Sequence, residues 1–497
     1  MKLAQQVAMR LEEDIVGSGW KVGEIMGSEA ALATRYGVSR WVIREALRIA
    51  EQDGLVEIRR GRFGGIAVSA PVLTVVGSSI RQFLSVSRVS NDVLYEARFV
   101  LECFAASLAI ARLPPAQAES LRELAERASA APAAQHSAMI FLILREVLRA
   151  AGNSALEAFT YALSQTTIEL ALLRGADEAE LNHIASRQLQ FRIKLIHAIL
   201  AGDGASATEQ INSFCQLGIS FLYGLKQGKK DLALLVAQHH LIHDARNKTA
   251  RPKLTEQVAW EIEYDLIAND WAPGTLLGSE AALMQRYKVS RSVIREAIRP
   301  LERLGVVEMC RGKHSGLKVA TPEPSAIIRS VVLYLNYSKN NDFASYELRK
   351  EIERVVVQAL AAAPAAARTP TTERLTAFSE FKFRASLGSL RQVVHDLGQI
   401  FAAATPNLIF SFFLRILAET VLLSSRCVLS VNDAATVIRT VQTQAGKLGR
   451  AIQGGESELA RNGIDEIWDT LREAYDLPKK KARQDGEACQ AAPPSLT

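Results

Sequence analysis

The stretch GSEAALATRYGVSRWVIREALRIAEQDGLVEIRRGR spans residues 27–62, and it returns at residues 278–313 as GSEAALMQRYKVSRSVIREAIRPLERLGVVEMCRGK. Ser28 recurs as Ser279, 251 residues later, and every aligned position in between keeps that interval. A repeat of this length is a domain-sized unit, much longer than the repeats of solenoid proteins. The sequence therefore predicts an internal duplication.

Both copies predict the same order of structural elements. Residues 3–16 place apolar side chains on one helical stripe, and Ser28 or Ser279, followed by an acidic residue, is a helix N-cap. A tight turn and a second capping serine, Ser39 or Ser290, begin a third helix. The segment that follows alternates apolar residues around a basic, glycine-containing turn, which is typical of a β-hairpin. The order predicts a winged helix-turn-helix.

Positive charge is concentrated in these two copies. The chain of 497 residues has a net charge of +6. Residues 35–62 contain seven Arg and four Asp/Glu (+3), and residues 286–313 contain eight Arg/Lys and three Glu (+5). Two short windows therefore carry more than the whole excess, as a phosphate-binding surface requires.

The start of the third helix is expected to read base edges, because a helix fits the major groove and only side chains distinguish bases there. The hairpin tip is expected to follow the backbone or enter a minor groove, although a solvated charged turn remains open. The predicted DNA contacts are Ser39, Arg40, Trp41, Arg44, Arg59, Arg60 and Arg62 in the first copy, and Ser290, Arg291, Ser292, Arg295, Arg311 and Lys313 in the second.

The predicted fold class is mainly α: two winged helix-turn-helix domains, each followed by an all-α helical bundle. Long Ala- and Leu-rich helical periods after each hairpin indicate the bundles. The predicted domains are residues 1–71 (first winged domain), 74–225 (first bundle), 226–253 (linker), 254–322 (second winged domain), 326–477 (second bundle) and 478–497 (disordered tail, which has little to bury).

Several other classes of protein are disfavoured. Five scattered cysteines without a CxxC pair indicate a reducing compartment, and acidic residues near the start oppose an export signal, so a cytoplasmic protein is expected. The most apolar run, residues 406–425, carries Arg415 and Glu419 near its middle, which favours a buried helix over a membrane span. The sequence shows no hydrolase, nucleotide-binding or zinc-protease motif, so no enzyme is predicted.

The motifs SEAAL, VSRWVIREALR and GLVEIRRGR, with their second copies, resemble the winged helix-turn-helix of GntR-family bacterial transcription regulators. The following segments resemble the all-α effector-binding domain of the FadR-like (FCD) branch. YEARFVLE and YELRKEIE match the start of its first long helix, and AGN, AILAGD and AIQGGE match later positions. The resemblance implies a tandem duplication of a whole regulator.

Many members of that branch hold a metal ion with one Asp and three His from the bundle. The matching positions are Ile140, Leu144, Arg192 and Phe214 in the first bundle and Val394, Gly398, Ala445 and Ile467 in the second. These residues supply none of the usual metal ligands, so neither bundle is expected to bind the family's metal or another cofactor.

Three arginines are the candidate effector-binding residues. Arg98 and Arg349 match a family arginine that faces the pocket, and Arg192 occupies a former ligand position. An arginine fork can bind a carboxylate directly. Ion pairs with Glu102 and Glu353 are the equally open structural interpretation.

Ordinary members of the family are homodimers on palindromic sites. Here one chain supplies two readers, which predicts an internal pseudo-dimer on an imperfect palindrome of double-stranded DNA, and a further homodimer stays open. The expected role is a repressor released by a small carboxylate or acyl-type effector. The alternative is a DNA-anchored scaffold whose bundles bind another protein.

Overall fold

The computed structural model describes residues 3–52, 54–59, 65–71, 73–225, 254–268, 272–303, 305–310, 316–320, 324–338, 344–383, 386–423 and 431–490. Helices dominate this part of the chain, and each half contains a three-stranded sheet. The architecture is the predicted one, mainly α with two winged helix-turn-helix domains that are each followed by a helical bundle.

The two halves contain the same elements in the same order. The first half consists of α1 (Leu3–Gly17), β1 (Ile25–Gly27), α2 (Glu29–Tyr36), α3 (Arg40–Gln52), β2 (Val56–Arg59), β3 (Gly65–Val68), α4 (Leu73–Val86), α5 (Asn91–Arg112), α6 (Pro115–Ser129), α7 (His136–Ala151), α8 (Ser154–Leu173), α9 (Glu178–Ala201) and α10 (Gly204–Gly224). The second half consists of α11 (Leu254–Ala268), β4 (Leu276–Gly278), α12 (Glu280–Tyr287), α13 (Arg291–Arg303), β5 (Val307–Cys310), β6 (Gly316–Val319), α14 (Ser325–Tyr337), α15 (Ala344–Ala362), α16 (Ala365–Glu380), α17 (Leu387–Ala404), α18 (Leu408–Leu423), α19 (Val431–Gly454) and α20 (Ser457–Gln490).

The apolar stripe of α1 forms one side of the first winged domain's core. Val7, Leu11 and Ile15 are fully buried there, whereas Leu3, which continues the stripe by one turn, is exposed at the free end of the helix. The opposite side comes from α3, whose Ile43 and other apolar residues are buried. Packing of these two stripes leaves the basic face of α3 toward solvent.

Each wing contains one strand that the sequence did not predict. In the segment between α1 and α2, β1 pairs with β3 in an antiparallel register, and β4 pairs with β6 in the same way. A strand of three residues is too short to show an alternating pattern. The third strand fixes the hairpin against the helix-turn-helix.

The two bundles pack against each other through reciprocal contacts. The Asn153 side chain donates to the carbonyl of Ala344 at 2.9 Å, and the equivalent Asn407 donates to the carbonyl of Val93 at 3.3 Å. Between them the Phe159 ring stacks on Phe413, with centroids 3.9 Å apart. Equivalent residues therefore meet their own counterparts, as in the two-fold interface of a homodimer.

Two predicted segments differ from the structure or lie outside it. The helix α20 continues past Leu477 to Gln490, into the segment for which composition predicts disorder. The Lys- and Ala-containing sequence after Pro478 favours helix locally, and Pro478 removes one backbone donor without ending the helix. The predicted linker, residues 226–253, lies outside the described residues.

Candidate DNA interface and effector cavity

The start of each recognition helix is capped by the predicted serine. The Ser39 hydroxyl accepts the amide of Val42 at 3.3 Å, and the Ser290 hydroxyl accepts the amide of Val293 at 3.5 Å. Capping fixes the direction in which the first turn of α3 or α13 leaves the domain. The side chains of that turn consequently project from a defined end of the helix.

All the predicted base-reading residues of the two helices are solvent-exposed. Trp41 is 72% exposed, an unusual state for an indole on a folded domain. Its counterpart Ser292 is also exposed and hydrogen-bonds to Ser290 at 2.9 Å. The exposed set is Ser39, Arg40, Trp41 and Arg44 in the first copy, and Ser290, Arg291, Ser292 and Arg295 in the second.

In each copy, a glutamate on the preceding helix pairs with the second of the two predicted base-reading arginines, Arg44 or Arg295. Arg44 lies 2.8 Å from the Glu29 carboxylate, and Arg295 lies 2.5 Å from Glu280. These pairs are exposed, so each contributes at most about 1 kcal/mol to stability. Their effect is to restrict the arginine rotamers before DNA arrives. In the sequence these acids stand out only as the residues that follow the capping Ser28 and Ser279, and both copies retain them.

A second repeated contact fixes the angle between the first two helices. The Tyr36 hydroxyl donates to Asp14 at 2.7 Å, and the equivalent Tyr287 donates to Asp265 at 2.7 Å. Burial and the adjacent Asp14 raise the pKa of Tyr36, so the hydroxyl remains a donor at physiological pH. The recognition helices are therefore presented on equivalent scaffolds.

The wing arginines are only partly within the described residues. Arg59 is exposed at the end of β2, and its side chain donates to Glu57 at 3.2 Å. The remaining predicted wing contacts, Arg60, Arg62, Arg311 and Lys313, lie outside the described residues.

The first bundle contains a partly open cavity of about 80 Å³. Its walls are mostly apolar and come from α5, α7, α8, α9 and α10. Three of the four positions that correspond to the family's metal ligands, Ile140, Leu144 and Phe214, line it. Within the described residues no cluster of three His, Cys, Asp or Glu is placed to hold a metal ion.

Arg98 is the charged residue in the cavity wall, and its guanidinium belongs to a buried cluster. Glu102 accepts from Arg98 at 2.8 Å and lies 2.6 Å from Arg192 on the other side. Although burial alone would raise it, the two guanidiniums hold the pKa of Glu102 below its ordinary value. Arg192 stacks on the ring of Phe214, with its guanidinium carbon 3.8 Å from the centroid. Two cations share one anion, so the cluster carries an excess positive charge.

The same region of the second bundle is filled by side chains. Arg349 donates to Glu353 at 2.7 Å and to the carbonyl of Val394 at 2.7 Å. Its guanidinium lies where a side chain at Gly398 would be, because a Cβ there would be 2.6 Å from Nη2. The Trp468 indole covers the pair and donates to Glu353 at 2.7 Å.

The structure thus separates the three candidate effector residues. Arg98 lines a cavity, Arg192 supports that wall from behind Phe214, and Arg349 is bonded within a filled core. Arg98 pairs with Glu102 and Arg349 pairs with Glu353, which are the ion pairs that the sequence left open as the alternative to effector binding.

Comparisons with known proteins agree with this geometry. The profile described as "Bacterial regulatory proteins, gntR family" matches residues 3–66 and again residues 254–316, and the FCD domain profile matches residues 93–216. The HTH-type transcriptional repressor NanR of Cronobacter sakazakii (strain ATCC BAA-894) is 36% identical over 83 residues, which are 17% of this chain and 31% of that protein. NanR of Enterobacter sp. (strain 638) is 35% identical with the same coverage. The chain thus spans about a third of the length of these relatives.

Two solved structures show weaker overall similarity. Streptococcus agalactiae GntR has 22% identity and a TM-score of 0.33, covering 44% of this chain and 99% of that one. E. coli McbR/YncC has 18% identity and a TM-score of 0.23, covering 45% and 98%.

The profile that both winged domains match describes bacterial regulatory proteins, and the relatives named above are transcriptional repressors rather than enzymes. The chain belongs to the gntR family, with two gntR DNA-binding domains and an FCD domain in one polypeptide. Within the described residues no helix has the length and apolarity that a bilayer span requires.

Proposed function

We propose that one chain binds one operator through both winged domains, with each recognition helix in the major groove of one half-site. The observation that carries this proposal is the equivalence of the two reading surfaces. Arg44 and Arg295 are both exposed, and each pairs with the equivalent glutamate of the preceding helix, Glu29 or Glu280. Two readers of one kind recognise two half-sites that share a core sequence.

The half-sites differ where the readers differ. Trp41 offers an apolar surface to the groove, and Ser292 offers a hydroxyl. Apolar side chains contact the thymine methyl group, whereas serine hydroxyls accept or donate to several bases. The operator is therefore an imperfect palindrome. By similarity to relatives named as repressors, the chain represses transcription from it in the cytoplasm.

The first bundle serves as the sensor for a small carboxylate. The excess charge around Glu102 favours an anion, and Arg98 is the cation that reaches the cavity wall. The cavity is about half the size of the roughly 150 Å³ that accommodates benzene, which favours an acid of two to four carbons over an acyl chain. In the second bundle Trp468 and Arg349 fill the equivalent region, which favours for that bundle the alternative in which it binds another protein rather than a metabolite.

Selection of duplexes from a random pool by the full chain tests the DNA-binding proposal. We expect two related half-sites whose centres are one helical turn or a multiple of it apart. Footprinting and light scattering then count chains per site. A single protected half-site per bound chain would overturn the proposal.

A thermal-shift series with acetate, pyruvate, lactate and succinate tests the sensor. Arg98→Met removes the excess cation but leaves Glu102 paired with Arg192, so the fold is expected to survive while stabilisation by the acid is lost. Arg98→Lys retains the charge and should retain part of the response. A response that Arg98→Met leaves intact would place the acid elsewhere.

A further inference from the structure

Each winged domain docks on a helix that belongs to the other half of the chain. The first domain's core includes Leu333 of α14, and its buried Glu12 lies 2.5 Å from Arg329 of the same helix. In the second domain, Glu263 of α11 is the equivalent of Glu12, and it pairs with Arg81 of α4. Two equivalent glutamates, Glu12 and Glu263, therefore anchor the two winged domains, each to a helix of the other half of the chain.

The second junction is a buried polar network. Arg81 donates to both oxygens of Glu263, at 3.2 and 3.3 Å, and Gln82 donates to Glu263 at 3.0 Å. Arg81 also lies 2.6 Å from Glu169 of α8, which accepts a hydrogen bond from Ser85 at 2.7 Å. All of these side chains are buried, so no solvent screens their interactions.

The first junction is mostly apolar. Leu333 replaces Gln82 in the aligned sequence, and the Trp20 ring contacts Tyr337 with centroids 5.4 Å apart. Its ion pair is partly open to solvent, because the Arg329 side chain is 32% exposed. The two winged domains are therefore held by different chemistry.

Among the described residues, the second junction is the one that adjoins the cavity. Thr167 and Ile168 line the cavity, and Glu169 follows them on α8. Arg98 donates to the Thr167 hydroxyl at 2.9 Å, so one side chain joins the cavity wall to the turn of α8 that carries Glu169.

The two charged clusters that contact α8 have opposite net charges. The cluster around Glu102 has two guanidiniums and one carboxylate, and the junction has one guanidinium and two carboxylates. Burial, and then Glu169, raise the pKa of Glu263 although Arg81 opposes them. One arginine shared by two buried carboxylates is a contact that a small movement of α8 can weaken.

We infer that the cavity of the first bundle controls the docking of the second winged domain, through Thr167, Glu169 and Glu263, and leaves the first winged domain unaffected. This inference rests on the proposed function for the identity of the signal, an anion that draws Arg98 away from Thr167. Release of the second domain alone would free one half-site and weaken the bivalent binding of the chain to its operator.

Amide hydrogen exchange in the full chain tests this inference without DNA or effector. The readout compares residues 254–268 (α11) with the matched residues 3–17 (α1). Thr167→Val and Arg98→Met each remove the bond between the cavity wall and α8. Each should speed exchange in α11 about fivefold, the loss of one buried hydrogen bond, and leave α1 unchanged.

Two variants at the junctions calibrate the readout. Gln82→Leu installs the residue of the other copy and should speed exchange in α11 directly, whereas Arg329→Met should speed exchange in α1 only. The inference is overturned if Thr167→Val and Arg98→Met leave α11 unchanged, if they speed both helices alike, or if Gln82→Leu has no effect on α11. Failure to bind an operator or a carboxylate would instead count against the proposed function.

Discussion

The two bundles share a fold and a buried Arg–Glu pair, yet the first has a cavity beside this pair, whereas described side chains fill the equivalent region of the second. Leu144 in the first bundle aligns with Gly398 in the second, and Cys215 aligns with Trp468. The glycine admits the guanidinium of Arg349, and the tryptophan covers it. A glycine and a tryptophan at these two positions fill the site without changing the path of the helices. Duplication thus allows one bundle to keep a cavity while the equivalent region of the other is packed.

The two winged domains show the opposite outcome. Their capping serines, paired arginines and Tyr–Asp contacts are alike in distance and partner. Substitutions have accumulated instead at exposed positions such as Trp41 and Ser292. The difference is physical: a surface that must match a regular duplex permits little change of scaffold, whereas a core can be closed by local substitutions.

The largest expected effect comes from reopening the filled bundle. Trp468→Cys copies the residue of the first bundle, creates a cavity and removes the donor to Glu353. Loss of a buried tryptophan costs about 3–5 kcal/mol, and scanning calorimetry should show a lower transition for this bundle. Cys215→Ala at the matched position should cost only about 1 kcal/mol. Equal losses in the two bundles would contradict the contrast between an open and a filled core.

The equivalence of the two readers predicts matched losses of DNA affinity. Arg44→Ala and Arg295→Ala should each weaken binding by about 1–3 kcal/mol, with the loss confined to their own half-sites if each reads a base. Titration of operators mutated in one half-site would measure this. Arg122→Ala changes an exposed arginine of α6 that pairs with Glu119; it is the control and should have no effect. A uniform loss on every sequence would indicate a phosphate contact.

Exchanging the residues that differ should exchange half-site preferences. Trp41→Ser should make the first half-site tolerate the bases that the second prefers, and Ser292→Trp should do the reverse. The effect should stay below about 1.4 kcal/mol, a factor of ten, because neither residue forms a bidentate pair with a base. Replacing thymine by uracil in one half-site removes the methyl group and should weaken only a chain with Trp41. Equal sensitivity in the Trp41→Ser chain would refute the assignment.

The smallest predicted effect lies in the turn of the helix-turn-helix. Gly37 ends α2 with φ 65°, and Lys288 occupies the same left-handed position with φ 54°. A lysine is strained there, so Lys288→Gly should stabilise the second winged domain by about 0.5–1 kcal/mol. Gly37→Ala should destabilise the first domain by a similar amount. Thermal unfolding of both variants would measure the pair, and a shift of the same sign in both would be inconsistent with strain at this position.

Local patterns predicted most of the winged domains and the helical class of the bundles. Ser28 and Ser39 cap the helices that the sequence assigned to them, and Ile43 lies on the predicted buried face. The short strand β1 was missed because three residues carry no period, and the extension of α20 was missed because composition alone argued for disorder. For Arg98 and Arg349, ion pairs with Glu102 and Glu353 were one of the two interpretations that the sequence left open. Both ion pairs are present, and the two arginines differ only in their surroundings.

The sequence by itself determined the duplication and the two winged helix-turn-helix domains, and at the ligand positions that the family resemblance marks it carries none of the usual metal ligands. These features depend on residue type and spacing, which are visible along the chain. The tertiary structure alone decided which bundle contains a cavity, and that each winged domain docks on the other half of the chain. Both depend on contacts between residues far apart in sequence, such as Glu263 with Arg81 and Trp468 with Glu353. Volume and partner in a packed interior are properties of the whole fold, so no local pattern records them.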